Sequence, residues 1–101
     1  MLEIIKDKSD NLEVLIIKFG AKWCASCVVL DKVLDEMKES SESFKDMLVT
    51  IDVDVDSDIA TSFKVRSLPT MLFLKKGEVV DKMVGTQTKE NILNKISSIK
   101  D

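Results

Sequence analysis

The sequence predicts an α/β domain in which a central mixed β-sheet is flanked by helices, and three features lead to this fold class. Residues 14–19 form an almost continuous apolar run, as expected of a central strand that helices cover on both faces. Residues 24–39 follow with apolar positions every three or four residues, the spacing of a helix face. Residues 47–53 predict a second strand, so these segments form a βαβ unit with parallel strands. The apolar positions of the helix are Cys27, Leu30, Leu34 and Met37.

The sequence on either side of this βαβ unit predicts further elements. Residues 2–5 predict an edge strand, and the polar stretch behind them leaves too little room for a full first helix. Polar residues at 39–43 predict a loop after the long helix. The other predicted elements are a short helix at 58–64, a hairpin of strands 71–74 and 79–84 with Gly77 in its turn, and a final helix at 88–99. That last helix is expected to turn four apolar residues toward the sheet: Ile92, Leu93, Ile96 and Ile99.

Composition and charge narrow the class of protein. With 101 residues, of which 45% are hydrophobic and 33% charged, the chain suits a single globular domain over its whole length. Its net charge of −3 offers no basic surface for nucleic acid or for an anionic membrane. No apolar run approaches the roughly 20 residues of a membrane-spanning helix, and the first residues lack the features of a signal peptide. A cytoplasmic location is therefore expected.

The two cysteines of the chain, Cys24 and Cys27, lie where the apolar run gives way to the helical pattern. The partial positive charge of a helix N-terminus favours a thiolate, which makes Cys24 the candidate nucleophile. Cys27 lies three residues further on the same helical face and is the candidate resolving thiol. The alternatives are two buried small hydrophobic residues or half of a metal site. A zinc site needs two further ligands, and the sequence has no histidine and no third cysteine, so redox chemistry in a reducing compartment is favoured.

The motif Trp23-Cys24-Ala25-Ser26-Cys27, followed later by Ser67-Leu68-Pro69-Thr70 and by Gly85, resembles the thioredoxin family. The order and spacing of the elements from residue 12 to residue 99 are similar too, and only the N-terminal region is shorter than the family pattern. This resemblance implies a thioredoxin fold and a monomeric protein-disulfide oxidoreductase without a bound cofactor. It also implies protein disulfides as substrates and a dedicated thioredoxin-reductase-type enzyme as the electron donor.

The same resemblance assigns a substrate-binding surface around the cysteines. Trp23 is expected to be a partly exposed ring at the lip of the site, although plain core packing is the alternative. Pro69 is expected to be cis and to pack beside the cysteines, whereas sequence alone favours the commoner trans bond. Leu68 is expected to offer backbone hydrogen bonds to an extended substrate segment, a form of strand addition, and Gly85 completes the surface.

Lys18 is the main departure from the family pattern, because thioredoxins typically place a buried aspartate at this position. One interpretation is that its stem crosses apolar surface until the ammonium meets water. The other is that the ammonium lies near the cysteines as a thiolate or proton-transfer modulator, favours the reduced form and makes the protein less reducing than its relatives. In the family a lysine on the neighbouring strand sometimes pairs with that aspartate, and counting back from Pro69 the resemblance implies that Thr50 takes this position beside Lys18. Asp52 is expected on the same face as Thr50. A charge-reversed pair of Lys18 with Asp52 is therefore a hypothesis.

The acidic run from Asp52 to Asp58 allows two interpretations. Aspartates alternate from Asp52 to Asp58 as in a calcium loop, but Ser57 and Phe63 stand where such a loop needs Gly and Glu. A solvated strand end and helix start is the favoured interpretation. The alternative function is a thioredoxin-fold binding module that holds a partner through the surface of Trp23, Leu68 and Gly85 with little redox turnover.

Overall fold

The computed structural model describes residues 2–100, which form five helices and four strands. In chain order these are α1 (Leu2–Asn11), β1 (Val14–Gly20), α2 (Ala25–Ser40), α3 (Glu42–Met47), β2 (Leu48–Asp52), α4 (Ser57–Ser62), β3 (Thr70–Lys75), β4 (Glu78–Val84) and α5 (Lys89–Lys100). The predicted α/β architecture, a mixed sheet flanked by helices, is confirmed.

The strands form one sheet in the order β2-β1-β3-β4. Strand β1 runs parallel to β2, with Lys18 beside Thr50 as predicted, and antiparallel to β3, where Lys18 lies beside Met71. Strands β3 and β4 form the predicted antiparallel hairpin, and Gly77 in its turn has a positive φ of 85° that glycine adopts without strain. Every residue of β1 is buried, so the strand that ends at the cysteine motif is enclosed by packed side chains along its whole length.

Successive residues of a strand point to opposite faces of the sheet, and in β1 the residues on both faces are buried by helices. On one face, Ile16 packs in a cluster with Leu30 of α2, Phe44 of α3 and Ile92 of α5. On the other face, the neighbouring residue Ile17 packs in a second cluster together with residues of α1 and α4. The continuous apolar pattern of β1 is explained by this double coverage.

The N-terminal segment is a helix and not the predicted edge strand. Residues 2–5 form no edge strand but the start of α1, a helix of ten residues, so the expectation of too little room for a first helix is also wrong. Ile5 is buried among the residues of the second cluster while Ile4 is half exposed, a pattern that one face of a helix explains. Asn11 completes the last turn, since its Nδ2 donates a hydrogen bond to the backbone oxygen of Asp7 at 2.7 Å.

Two smaller corrections concern α3 and α5. Part of the predicted loop at 39–43 is the start of α3, where the Ser41 hydroxyl caps the helix by accepting the backbone N–H of Phe44 at 3.2 Å. In α5, Ile92, Ile96 and Ile99 are buried as predicted, but Leu93 is 43% exposed. Leu93 follows Ile92 by one position, which turns it about 100° away from the sheet.

Candidate active site

Cys24 and Cys27 are joined by a disulfide at the N-terminus of α2, with their Cα atoms 5.2 Å apart. Cys24 is the N-cap residue, and its Sγ accepts the backbone N–H of Cys27 at 3.2 Å. The predicted helix start at Cys24 is thereby confirmed within one residue. An N-cap sulfur faces the unpaired N–H groups of the first helical turn, which favour negative charge on that atom.

The two sulfurs differ in exposure. Cys24 is 7% exposed and Cys27 only 1%, and both pack with Ala21 in one small cluster. The hydroxyl of Ser26 lies 3.4 Å from Cys24 Sγ, within the hydrogen-bonding range of a sulfur atom. An incoming substrate sulfur can therefore approach Cys24 more easily than Cys27.

Trp23 lies next to this disulfide with 70% of its surface exposed, so it is not a core residue. Its indole Nε1 donates a hydrogen bond to Asp54 Oδ2 at 2.9 Å. Asp54 is placed by Asp52, whose Oδ1 accepts the backbone N–H of Asp54 at 2.9 Å. The sequence pointed to Asp54 only as one of the alternating aspartates and not as the partner of Trp23. The available signal was that the parallel strands β1 and β2 end at the same edge of the sheet, which brings the segments after them together.

The segment before β3 closes the other side of the site. The Leu68–Pro69 peptide bond is cis, as the family resemblance implied, and Pro69 is fully buried. Leu68 is partly buried and packs against the cluster of Ala21, Cys24 and Cys27. Gly85 N–H donates to the Pro69 carbonyl at 2.9 Å, and its φ of 89° is a value that glycine tolerates best.

Lys18 is only 2% exposed, so the interpretation in which its ammonium reaches water is wrong. Its Nζ lies 2.6 Å from Asp31 Oδ1 on α2. The hypothesis of a pair with Asp52 is wrong too: the carboxylate that meets Lys18 among the described residues is that of Asp31. Lys18 points to the sheet face that α2 covers, and Asp31 projects from that helix. The Asp52 carboxylate instead accepts a hydrogen bond from the backbone N–H of Asp54.

Neither a metal centre nor a membrane span is found in the described part of the chain. Within residues 2–100, no three His, Cys, Asp or Glu side chains are grouped so that they could hold a metal ion. The alternating aspartates fit the predicted solvated strand end and helix start, where Asp54 is the partner of Trp23. None of the helices between residues 2 and 100 has the length and apolar character needed to cross a bilayer.

Comparison with known proteins agrees with this geometry. The thioredoxin family model matches residues 3–98. The chain belongs to the thioredoxin family. A thioredoxin from Chlorobaculum thiosulfatiphilum is 37% identical over 86% of this chain and 80% of its own length. Thioredoxin H4-1 from Oryza sativa subsp. japonica is 37% identical over 96% of this chain and 72% of its own length. Among solved structures, a mutant thioredoxin from Halobacterium salinarum superposes with a TM-score of 0.82 and 29% identity, covering 94% of this chain and 81% of the other.

Membership in the thioredoxin family and the cysteine pair together define the activity. The sheet and its flanking helices have the thioredoxin fold, and the two sulfurs at the N-terminus of α2 lie at bonding distance. The protein is therefore a thiol-disulfide oxidoreductase that acts on protein disulfides. The sequence-based prediction of this function is confirmed.

Proposed function

We propose that Cys24 is the nucleophile and Cys27 the resolving thiol in the reduction of disulfides in other proteins. One observation carries this assignment: Cys24 Sγ occupies the N-cap of α2 and accepts the Cys27 N–H, while Cys27 is almost completely buried. The helix end favours the thiolate of Cys24 in the reduced protein, and burial protects Cys27 from direct attack.

The reaction proceeds by two exchanges of sulfur partners. The Cys24 thiolate attacks one sulfur of the substrate disulfide, the substrate S–S bond breaks, and the first substrate thiolate leaves and takes up a proton. Cys27 then loses its proton and attacks Cys24 Sγ, which breaks the mixed disulfide and releases the second substrate thiolate. Two electrons and two protons pass to the substrate, and the Cys24–Cys27 disulfide remains on the enzyme.

The substrate segment is proposed to lie across Trp23, Leu68, Pro69 and Gly85. Among the described residues, Leu68 makes no backbone hydrogen bond, so its N–H and C=O are free to pair with an extended chain. Leu68 also packs against the cysteine cluster, which supports a path for such a chain beside Cys24. The exposed ring of Trp23 supplies apolar contact area on the other side.

The electron donor, location and assembly belong to the same proposal. A thioredoxin-reductase-type enzyme returns the disulfide to the dithiol, and the catalytic step needs no bound cofactor because both electrons come from the cysteine pair. The protein is proposed to work as a monomer in the cytoplasm, where reducing conditions keep the dithiol available. Sedimentation of the reduced protein and fractionation of cells that produce it test these two points.

Reduction of insulin by dithiothreitol tests the assignment of the cysteines. The wild-type protein is expected to accelerate insulin reduction, and Cys24→Ser to abolish the acceleration. Cys27→Ser is expected to accumulate covalent adducts with substrate proteins that dithiothreitol releases. A pure binding module would retain its partner in Cys24→Ser without any disulfide, and this result would overturn the proposal. The matched control is Ser62→Ala, a small polar substitution in α4 outside the site.

A further inference from the structure

A buried cation lies beneath the disulfide, although a cation in an apolar strand is costly. Lys18 is the charged residue of β1, and each of its neighbours in that strand is apolar and buried. Removal of an ammonium from water is strongly unfavourable unless a partner compensates it. Such a group is retained either for the stability of its ion pair or for its effect on nearby chemistry, and the surroundings of Lys18 distinguish these roles.

The partner of Lys18 stands on the same helix as the cysteines. Asp31 follows Cys27 by four positions in α2, so the two side chains project from the same helical face. The Lys18 ammonium contacts Asp31 Oδ1 at 2.6 Å, and the Asp31 side chain remains 46% exposed. The ammonium is therefore bound one helical turn from Cys27, by a carboxylate that is itself still partly hydrated.

Gly20 shows how close the ammonium and the sulfur are. A Cβ atom at Gly20 would lie 2.6 Å from Lys18 Nζ and 3.3 Å from Cys27 Sγ. The cation and the buried sulfur thus border the same small space, and their separation is less than these two distances combined. Any side chain at position 20 would compete with the ammonium for this space, so glycine here permits the cation to lie beside the sulfur.

We propose that Lys18 and Asp31 are positioning residues that set the redox equilibrium of the cysteine pair, with the ammonium favouring the reduced form and the carboxylate opposing it. The inference deepens the proposed function and rests on it. The reduced pair carries negative charge on sulfur when it is deprotonated, whereas the disulfide carries none. A nearby cation therefore stabilises the reduced form more than the oxidised form, and a nearby anion does the opposite.

Removal of the two charges is expected to shift the redox equilibrium in opposite directions. Lys18→Met removes the cation and leaves the Asp31 carboxylate, so the protein becomes easier to oxidise. Asp31→Asn removes the negative charge but keeps a side-chain oxygen that accepts a hydrogen bond from the ammonium at this half-exposed position, so the protein becomes harder to oxidise. In a purely structural pair the two substitutions would remove the same contact and would both reduce stability, with no opposed effect on the redox equilibrium.

Lys22 and Asp52 line the same cavity as Lys18 and Asp31, a space of about 280 Å³ beside α2. These two further charges have opposite signs, and Lys22 is exposed to solvent, so their effects on the sulfur are screened and partly cancel. Asp31 contacts the ammonium directly and controls how much of its charge the sulfur experiences. This is the reason to test Asp31 before the other charges of the cavity.

Equilibration with glutathione tests the proposal directly. The reaction converts the reduced protein and glutathione disulfide into the oxidised protein and two glutathione molecules. Its constant is measured at about pH 8, near the ordinary pKa of a thiol, where the helix N-terminus favours a thiolate on Cys24. Lys18→Met is expected to raise this constant by about tenfold, and Asp31→Asn to lower it by about threefold to tenfold. The double variant is expected to lie between the two single variants, because the two charges act on the sulfur with opposite signs.

Two variants of α2 serve as controls for the change in charge. Asp35→Asn and Lys32→Met make the same charge changes on exposed positions of α2 and are expected to leave the constant within twofold. Shifts of Lys18→Met and Asp31→Asn in the same direction, or both within twofold of wild type, overturn the inference. If Lys18→Met does not fold, Asp31→Asn decides alone, because its half-exposed site tolerates an amide. Insulin reduction by the wild-type protein is measured in parallel, so a failure of the proposed function is recognised separately.

Discussion

Trp23 Nε1 donates a hydrogen bond to Asp54 Oδ2 at 2.9 Å, although 70% of the tryptophan surface is exposed. An exposed aromatic ring has several rotamers of similar energy unless a polar contact selects one. Asp54 provides this contact from the segment after β2, and its own backbone N–H is bound to the Asp52 carboxylate. The orientation of the ring beside Cys24 is therefore set by a pair of aspartates that follow the neighbouring strand.

Asp54→Ala is expected to release the ring and weaken substrate binding. Loss of a hydrogen bond to a charged acceptor at an exposed site costs about 1 kcal/mol of the free energy that holds the ring in place. If substrate binding needs this orientation, the KM for insulin should rise by about fivefold while kcat changes little. Trp23 is the only tryptophan of the sequence, so fluorescence anisotropy and acrylamide quenching report on this ring alone. Asp58→Ala, which removes an exposed charge from α4, is the control. Unchanged anisotropy together with an unchanged KM would show that Asp54 does not orient the ring.

Gly85 and Gly77 offer a matched comparison, because their φ angles are 89° and 85°. A residue with a Cβ is strained by about 1 kcal/mol in this conformation, so alanine at either position should reduce the free energy of unfolding by that amount. Only Gly85 is bound to Pro69, at the proposed substrate surface. Gly85→Ala is therefore expected to raise the KM for insulin as well, whereas Gly77→Ala leaves it unchanged. Urea denaturation and insulin kinetics measure the two effects, and equal KM values would place Gly85 outside the surface.

Local pattern was enough to predict the elements that carry the cysteines. The apolar run at 14–19 corresponds to Val14–Gly20, and the helical pattern at 24–39 corresponds to Ala25–Ser40. The family resemblance, counted back from Pro69, also gave the correct neighbour of Lys18, namely Thr50. The strand and the helix depend on the periodicity of apolar residues, which is present in the sequence itself.

The partners of Lys18 and Trp23 could not be predicted in the same way. A strand pattern shows that Lys18 shares a face with Ile16, but it does not show which helix covers that face. The sequence alone does not show whether Asp31 or Asp52 contacts the Lys18 ammonium. The packing of α2 on the sheet selects Asp31. Because Asp31 neutralises part of the ammonium charge, the less reducing character predicted from Lys18 alone should be smaller than the lysine by itself would cause. The first helix was missed because a short apolar stretch is compatible with a strand or with one face of a helix.

Ile92 and Leu93 test how α5 packs, since the sequence placed both against the sheet and the structure buries only the first. Ile92 is fully buried in the cluster that contains Ile16, whereas Leu93 is 43% exposed. Ile92→Ala is expected to reduce the free energy of unfolding by about 2–5 kcal/mol because it leaves a cavity. Leu93→Ala should reduce it by about 0.5 kcal/mol or less. Urea denaturation of both variants checks this difference, and similar losses would mean that α5 is rotated relative to the structure.

Asp81 and Lys95 connect β4 to α5, and this ion pair gives the fold a predictable dependence on acid. The hydrogen bond from Lys95 at 2.6 Å, with help from the Lys82 backbone N–H, holds the pKa of the Asp81 carboxyl below its usual value. A carboxylate with a lowered pKa in the folded state stabilises the protein above its unfolded pKa, and the effect is lost as the pH falls through the folded pKa.

Asp81→Asn is therefore expected to be less stable than wild type at pH 7 and equally stable once both folded and unfolded carboxyls are protonated. The difference at pH 7 should be about 0.5 kcal/mol, because both side chains are partly exposed and solvent screens the pair. Urea denaturation at neutral pH and at about pH 2 measures it. Lys95→Met is the matched variant: it removes the main cause of the lowered pKa, so adding Asp81→Asn to it should cost less at pH 7 than Asp81→Asn alone. A stability difference that persists unchanged in acid would mean that Asp81 acts through its shape and not through its charge.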